Sequence, residues 1–227
     1  MERYIWEHQN WPNFTFNTTA VEKLLHRIHY LQGTLDATAT LIDDAARERI
    51  QIEMLTDETL KSNEIEGVLL EAASVWSFVS RRLGIDTGVP KNPDKRSENA
   101  AALVMDAVQN HHIPLTNERL LGWHRLLFAD AAPRLQPPIV GGWRTGSVSI
   151  VSGRYEGRQI EIFEGVPAEQ VEREIARLLE SIQSKPRYHY LIESALSHLW
   201  FVCIHPFGDG NGRIARALSD YLLAAGE

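Results

Sequence analysis

The stretch His205-Pro206-Phe207-Gly208-Asp209-Gly210-Asn211-Gly212-Arg213-Ile214-Ala215-Arg216 decides how the rest of the chain is read. An apolar run, Leu199 to Ile204, leads into it, and a helical pattern follows it. It therefore reads as a helix end, a glycine-rich loop and a new helix start. Glycines at 208, 210 and 212 let backbone N–H groups turn inward into a concave anion nest. The next helix adds its N-terminal dipole at the same place. Arg213 and Arg216 lie about one turn apart on that helix, so both should reach the nest. Asp209 sits where a carboxylate would repel phosphate unless a cation bridged the two, and Mg²⁺ suits that bridge. His205 has an ordinary pKa near 6.5 and can take a proton from an incoming hydroxyl. Base, metal ligand, nest and two arginines within twelve residues describe a phosphoryl- or nucleotidyl-transfer site that takes an oligophosphate.

Working outward, the pattern is mostly helical. Asn17, Thr18 and Thr19 offer caps to a helix carrying Val21, Leu24, Leu25 and Ile28, with Gly33 as its expected stop. A longer helix is expected from Leu35 to Glu66, closed by Gly67, and another from Ala72 to Leu83, ending at Gly84. Residues 84–95 are rich in Gly, Pro and Asp and read as a linker. Ser97 and Thr116 are the expected caps of two further helices, and 130–142 reads as a loop. Residues 147–151 and 158–163 alternate polar with apolar around a turn, which predicts one β-hairpin. Pro167 opens a helix with Val171, Ile175, Leu178, Leu179 and Ile182 on one stripe, and Tyr188 to Ile204 forms another. The expected organisation is an N-terminal helical region over 1–90 and a helical core with one hairpin over 91–227. The chain stops barely four turns after its densest motif, which suggests a trimmed C-terminus.

Composition narrows the partners. The 227 residues are 44% hydrophobic, enough for a real core. A formal net charge of −7 argues against a general nucleic-acid coat. No apolar run approaches the roughly 18 residues of a membrane span, and the first residues lack the layout of a signal peptide. The single cysteine, Cys203, permits no intrachain disulfide. A cytoplasmic location is the expectation.

The 205–216 stretch resembles the signature of the Fic family, His-x-Phe-x-Asp/Glu-Gly-Asn-Gly-Arg-x-x-Arg, at all eight fixed positions. That resemblance implies a mainly α, Fic-type helical domain whose hairpin is a flap holding an extended target segment by strand addition. It implies a bacterial protein adenylyltransferase that moves AMP from ATP to a Tyr, Thr or Ser hydroxyl of a target protein. His205 would be the general base, Phe207 the loop anchor and Asp209 the Mg²⁺ ligand. Gly208 belongs to the glycine-rich nest, and Gly210, Asn211 and Gly212 would line the phosphate cradle. Asn211 would help stabilise developing charge. Arg213 would meet the β-phosphate region and Arg216 the γ-phosphate. Related Doc-type kinases carry Lys where this chain has Gly212, so glycine there favours AMP transfer.

Ser62-Asn63-Glu64-Ile65-Glu66-Gly67 resembles the family's inhibitory element, in the N-terminal position of its second class. Ser62 and Glu66, four apart on a helix, would share a face, with Glu66 pairing with Arg216. Tyr4 to Pro12 looks like an extension found on some bacterial members. Two other functions remain open: an AMP-removing hydrolase on the same site, and a nucleotide-binding regulatory module of the toxin–antitoxin kind. The intact His205 speaks against the second, since a pure binder needs no base. Transfer of UMP or phosphocholine, which other family members perform, is not separated from AMP transfer, and a homo-oligomer is compatible with the sequence. His198 lies seven residues before His205 but reads as a packed helix histidine, because no third metal ligand is evident. His111 ends a helix and reads as a cap, and Cys203 as a small buried hydrophobe.

Overall fold

A computed structural model describes residues 3–85, 94–129, 138–152 and 160–226. The expected linker centre, the hairpin turn, much of the 130–142 loop and the 90/91 boundary lie outside these residues. The described chain forms helices α1 (Thr18–Ala39), α2 (Asp44–Glu64), α3 (Ala72–Arg82), α4 (Lys95–Gln109) and α5 (Asn117–Phe128). Strands β1 (Ser149–Ser152) and β2 (Ile160–Glu164) follow, then α6 (Val171–Gln183), α7 (Tyr190–Ile204) and α8 (Asn211–Gly226). The mainly α architecture with one antiparallel hairpin is as expected.

Several boundaries differ from expectation. Gly33 does not stop α1, which runs through it to Ala39. One glycine in a helix costs about 1 kcal/mol relative to alanine, too little to end 22 residues of otherwise helical sequence. The break falls at 40–43 instead, where the Asp43 carboxylate accepts from Ala46 N at 2.7 Å and caps a fresh helix. Likewise α4 starts two residues before Ser97, because Asp94 accepts from Ser97 N at 3.0 Å. Thr116 caps α5 as expected, accepting from Arg119 N at 3.2 Å.

The core is one cluster. Ile52 and Leu55 of α2 and Val75 and Val79 of α3 pack with Leu103 and Val104 of α4, Leu120 and Trp123 of α5, and Ile214 and Leu218 of α8. α7 and α8 pack closely together, and α8 also meets α4, α5 and α2. That places both ends of the 205–210 loop on buried helices, with the end of α2 alongside. α1 buries none of its residues. Among the described residues, no helix is long and apolar enough to cross a membrane.

Candidate active site

α7 ends by turning its C-cap, His205, into the left-handed region at φ 51°. Phe207 then drops fully into the core, stacked on His124 with ring centroids 4.2 Å apart and touching Trp143. Asn211 braces the loop from its far end: its Oδ1 accepts from Phe207 N at 2.9 Å, and its Nδ2 donates to Phe207 O at 2.7 Å. This buried amide is therefore turned onto the Phe207 backbone, where the sequence reading had it lining the cradle and stabilising charge.

The His205 ring is held by a 3.3 Å contact from Nδ1 to the Val202 carbonyl. A carbonyl only accepts, so Nδ1 carries the proton and Nε2 is left as the acceptor. Burial, with the Arg144 guanidinium adding to it, pushes the His205 pKa below its ordinary value. The ring is a neutral base at pH 7.

Asp209 Oδ1 accepts from Gly210 N at 2.6 Å and lies 3.5 Å from Arg213 Nη2. Its side chain remains 36% exposed. A single accessible carboxylate in a phosphate loop fits Mg²⁺, which takes one or two carboxylates together with substrate phosphates and water. Among the described residues, no three His, Cys, Asp or Glu side chains gather into a metal cage.

The two arginines part company. Arg213 is buried, with its guanidinium 5.3 Å from the Phe128 ring centroid and beside Asp209. Arg216 turns the other way, to α2. Its Nε donates to Ser62 Oγ at 2.8 Å, and its Nη2 donates to Ser62 O at 2.8 Å and to Glu66 Oε1 at 2.7 Å. α2 stops at Glu64, so Glu66 stands in the turn beyond it, its N–H donating to Asn63 O at 3.0 Å. The expectation of one continuous helix through Ser62 and Glu66 is corrected to that extent, but Glu66 pairs with Arg216 as expected, and Ser62 meets the same guanidinium besides. A Cβ placed on Gly212 would collide with Glu66 Oε1. The Glu66 carboxylate thus lies against the first turn of α8, where the N–H groups of a helix start and the helix dipole favour an anion.

Two supports escaped the sequence reading. Arg144 is buried, and its guanidinium donates to the carbonyls of His205 at 2.7 Å, Gly146 at 2.7 Å, Ile204 at 3.2 Å and Val166. It ties the end of α7 to the segment leaving β2. His124 accepts at Nδ1 from Gly141 N at 3.0 Å, which leaves its Nε2 to donate to Asp209 O at 3.2 Å. Burial pushes its pKa down to about 4, so it is a neutral brace. Lone polar residues, one in a Gly/Pro loop and one mid-helix, carry no spacing signal that marks such roles. The other expectations are simpler: His198 Nδ1 meets Ala215 O and Ser219 Oγ, His111 Nδ1 meets Val108 O, and Cys203 is buried.

Residues 114–223 match the Fic/DOC family, and residues 4–85 match a domain of unknown function (DUF4172). The chain is similar to a protein adenylyltransferase Fic of Nematostella vectensis, 41% identical over 168 residues covering 71% of this chain and 36% of the relative. A protein of the same name from Culex quinquefasciatus is 27% identical over 216 residues, covering 89% and 38%. A crystal structure of a Fic family protein from Desulfovibrio desulfuricans G20 superposes with TM-score 0.64 at 25% identity, covering 93% of this chain and 59% of that one. Fic-1 from C. elegans shares the fold at TM-score 0.58 and 20% identity, covering 92% and 60%. The chain spans little more than a third of the length of the curated relatives it matches.

Proposed function

Since the chain belongs to the Fic-domain family, we propose that it transfers AMP from ATP to a hydroxyl side chain of a target protein and that Glu66 restrains the reaction. The observation that carries this reading is a neutral His205 at the mouth of a glycine loop whose following helix presents its N-terminus to an anion. His205 Nε2 takes the proton from the target hydroxyl. The oxygen then forms a bond to the α-phosphorus of ATP as the bond from that phosphorus to the bridging oxygen breaks, and pyrophosphate leaves. The first-turn N–H groups of α8 hold the phosphates. Asp209 is the residue that would hold Mg²⁺, which when bound neutralises phosphate charge.

Restraint follows from competition for one place. Glu66 puts a carboxylate against the first turn of α8 and engages Arg216, the cation expected to take the γ-phosphate. Ser62 holds the same guanidinium from behind. Seating a triphosphate there requires Glu66 to withdraw. Incubation with α-labelled and, separately, γ-labelled ATP tests the reaction class. Labelled protein from the α position alone is expected, and label from the γ position alone would make the chain a kinase.

A further inference from the structure

The first residues of the chain are built onto the hairpin. Tyr4 is 6% exposed, and its hydroxyl donates to the Glu161 carboxylate on β2. That bond holds the Tyr4 pKa up at about 12. The Tyr4 ring packs edge-on to Phe163 of β2 and stacks on Trp6. Arg3 Nη1 pairs with Glu161 Oε1 at 3.2 Å.

Two contacts from this segment go to the β2 backbone. Gly165 N donates to Val148 O at 3.0 Å, so Gly165 and Val148 face each other across the hairpin. Hydrogen-bonding direction alternates along a strand, so the paired residues Glu164 and Ser149 turn their backbone groups outward, away from each other. The outward Glu164 carbonyl accepts from Trp6 Nε1 at 2.7 Å. A register shift between the partners of Ile150 and Val151 re-aims β2, and the Glu161 carbonyl accepts from Arg3 Nη2 at 3.3 Å. Side chains of the N-terminal segment thus cap the outer edge of β2. On β1, Ser149 and Val151 turn their backbone groups to the opposite edge, and among the described residues no backbone group pairs with them there.

The β1 edge also points at the chemistry. A Cβ on Gly165 would lie 2.9 Å from His205 Cβ and 3.1 Å from Ile204 O. The Ser149 end of β1, opposite Glu164, is therefore the end beside the base, and Arg144 bridges Gly146 to His205.

We infer that Arg3, Tyr4 and Trp6 are positioning residues that close the outer edge of β2, so that the extended target segment which the family resemblance places on this hairpin is left the β1 edge, with its hydroxyl residue beside Ser149. This deepens the transfer reading above and rests on it for the target. An exposed strand edge fits one occupant, an extended peptide segment. The apolar, exposed Ile150 and Val151 offer side-chain contacts on the two faces of that strand.

Conservative variants test both halves on the full chain carrying Glu66→Gly. The double variant Tyr4→Phe/Trp6→Phe keeps an aromatic ring at each position and removes both donors. Amide hydrogen exchange over 160–165 should then quicken at least fivefold. Incorporation of α-labelled AMP into protein should fall about tenfold, while KM for ATP and release of free AMP to water stay within twofold. Val151→Pro removes one outward N–H of β1 without touching the ladder. It should lower incorporation similarly while leaving exchange over 160–165 unchanged. Unchanged exchange in the double variant overturns the brace, and unchanged incorporation in Val151→Pro with the ladder intact overturns the docking edge. If the Glu66→Gly parent yields neither labelled protein nor AMP, the transfer reading fails, while the exchange result still decides the brace.

Discussion

At the scale of single residues, the site depends on where a few polar atoms are aimed. His205 is neutral because burial and Arg144 both oppose its protonated form. Its pKa is lowered, so the base stays competent as pH falls to 6.5 and is lost only below that. The acid limb of the rate profile should therefore lie under pH 6.5. A limb above 6.5 would contradict the account. His205→Ala should lower transfer by ~10²–10⁴-fold with ATP affinity nearly unchanged by calorimetry, because in the proposed mechanism the ring meets the target hydroxyl rather than the phosphates. Gly165→Ala tests the close approach of the hairpin to the base. Its methyl would meet His205, Arg144 and the Ile204 carbonyl at about 3 Å. It should cost on the order of 1–3 kcal/mol in chemical denaturation and reduce transfer more than it reduces ATP binding.

At the scale of elements, the central contact is the end of α2 on the start of α8. Asp220, one turn beyond Arg216, is the unsettled member of this contact. Burial, with the Glu58 carboxylate of α2 adding to it, pushes its pKa up to about 7, and Arg216 opposes the shift only in part. Among the described residues, its buried Oδ2 has no hydrogen-bond partner. The folded chain holds a proton there that the unfolded chain releases above about pH 4, so the stability linked to this group declines as pH rises from 4 to 7. Asp220→Asn should therefore stabilise the protein at pH 8, by on the order of 1–3 kcal/mol, with the difference shrinking at pH 5. Urea titration at both pH values checks this, and equal differences at the two would reject the assignment. His124 works in the opposite sense. Its pKa of about 4 lies below the unfolded value, so stability falls as pH drops below 6.5.

Much of this element-level picture was legible in the chain. The glycine loop between helices, the single hairpin, the Thr116 cap and the meeting of Glu66 with Arg216 all follow from local pattern or motif, whereas the Ser62 bond to Arg216 does not. What was not legible depends on competition and on distance. Gly33 is a poor helix residue whose small penalty lost to its neighbours, and Asp94 capped α4 ahead of Ser97. Arg144 and His124 brace the loop across 61 and 85 residues of separation, which no local spacing reveals. Arg213 and Arg216 share a face by count, yet burial sends one under Phe128 and an ion pair sends the other to α2.

At the scale of the whole molecule, the segment ahead of the Fic/DOC match reaches the site at two places. Arg3 to Trp6 hold the hairpin, and the end of α2 delivers Glu66 to α8. On the proposed reading, one chain segment both shapes where a target would lie and blocks where a triphosphate would sit. The restraint is the central claim, and it requires only that Glu66 favours the blocked arrangement by ~1.4–2.7 kcal/mol, a ten- to hundredfold bias. A partly buried ion pair with Arg216 is adequate for that. The most direct test compares incorporation of α-labelled AMP by the unaltered chain and by Glu66→Gly at equal ATP and Mg²⁺. The account predicts a rise of about ten- to a hundredfold in the variant; equal incorporation by the two proteins would contradict it and leave Ser62 and Glu66 as an ordinary helix end.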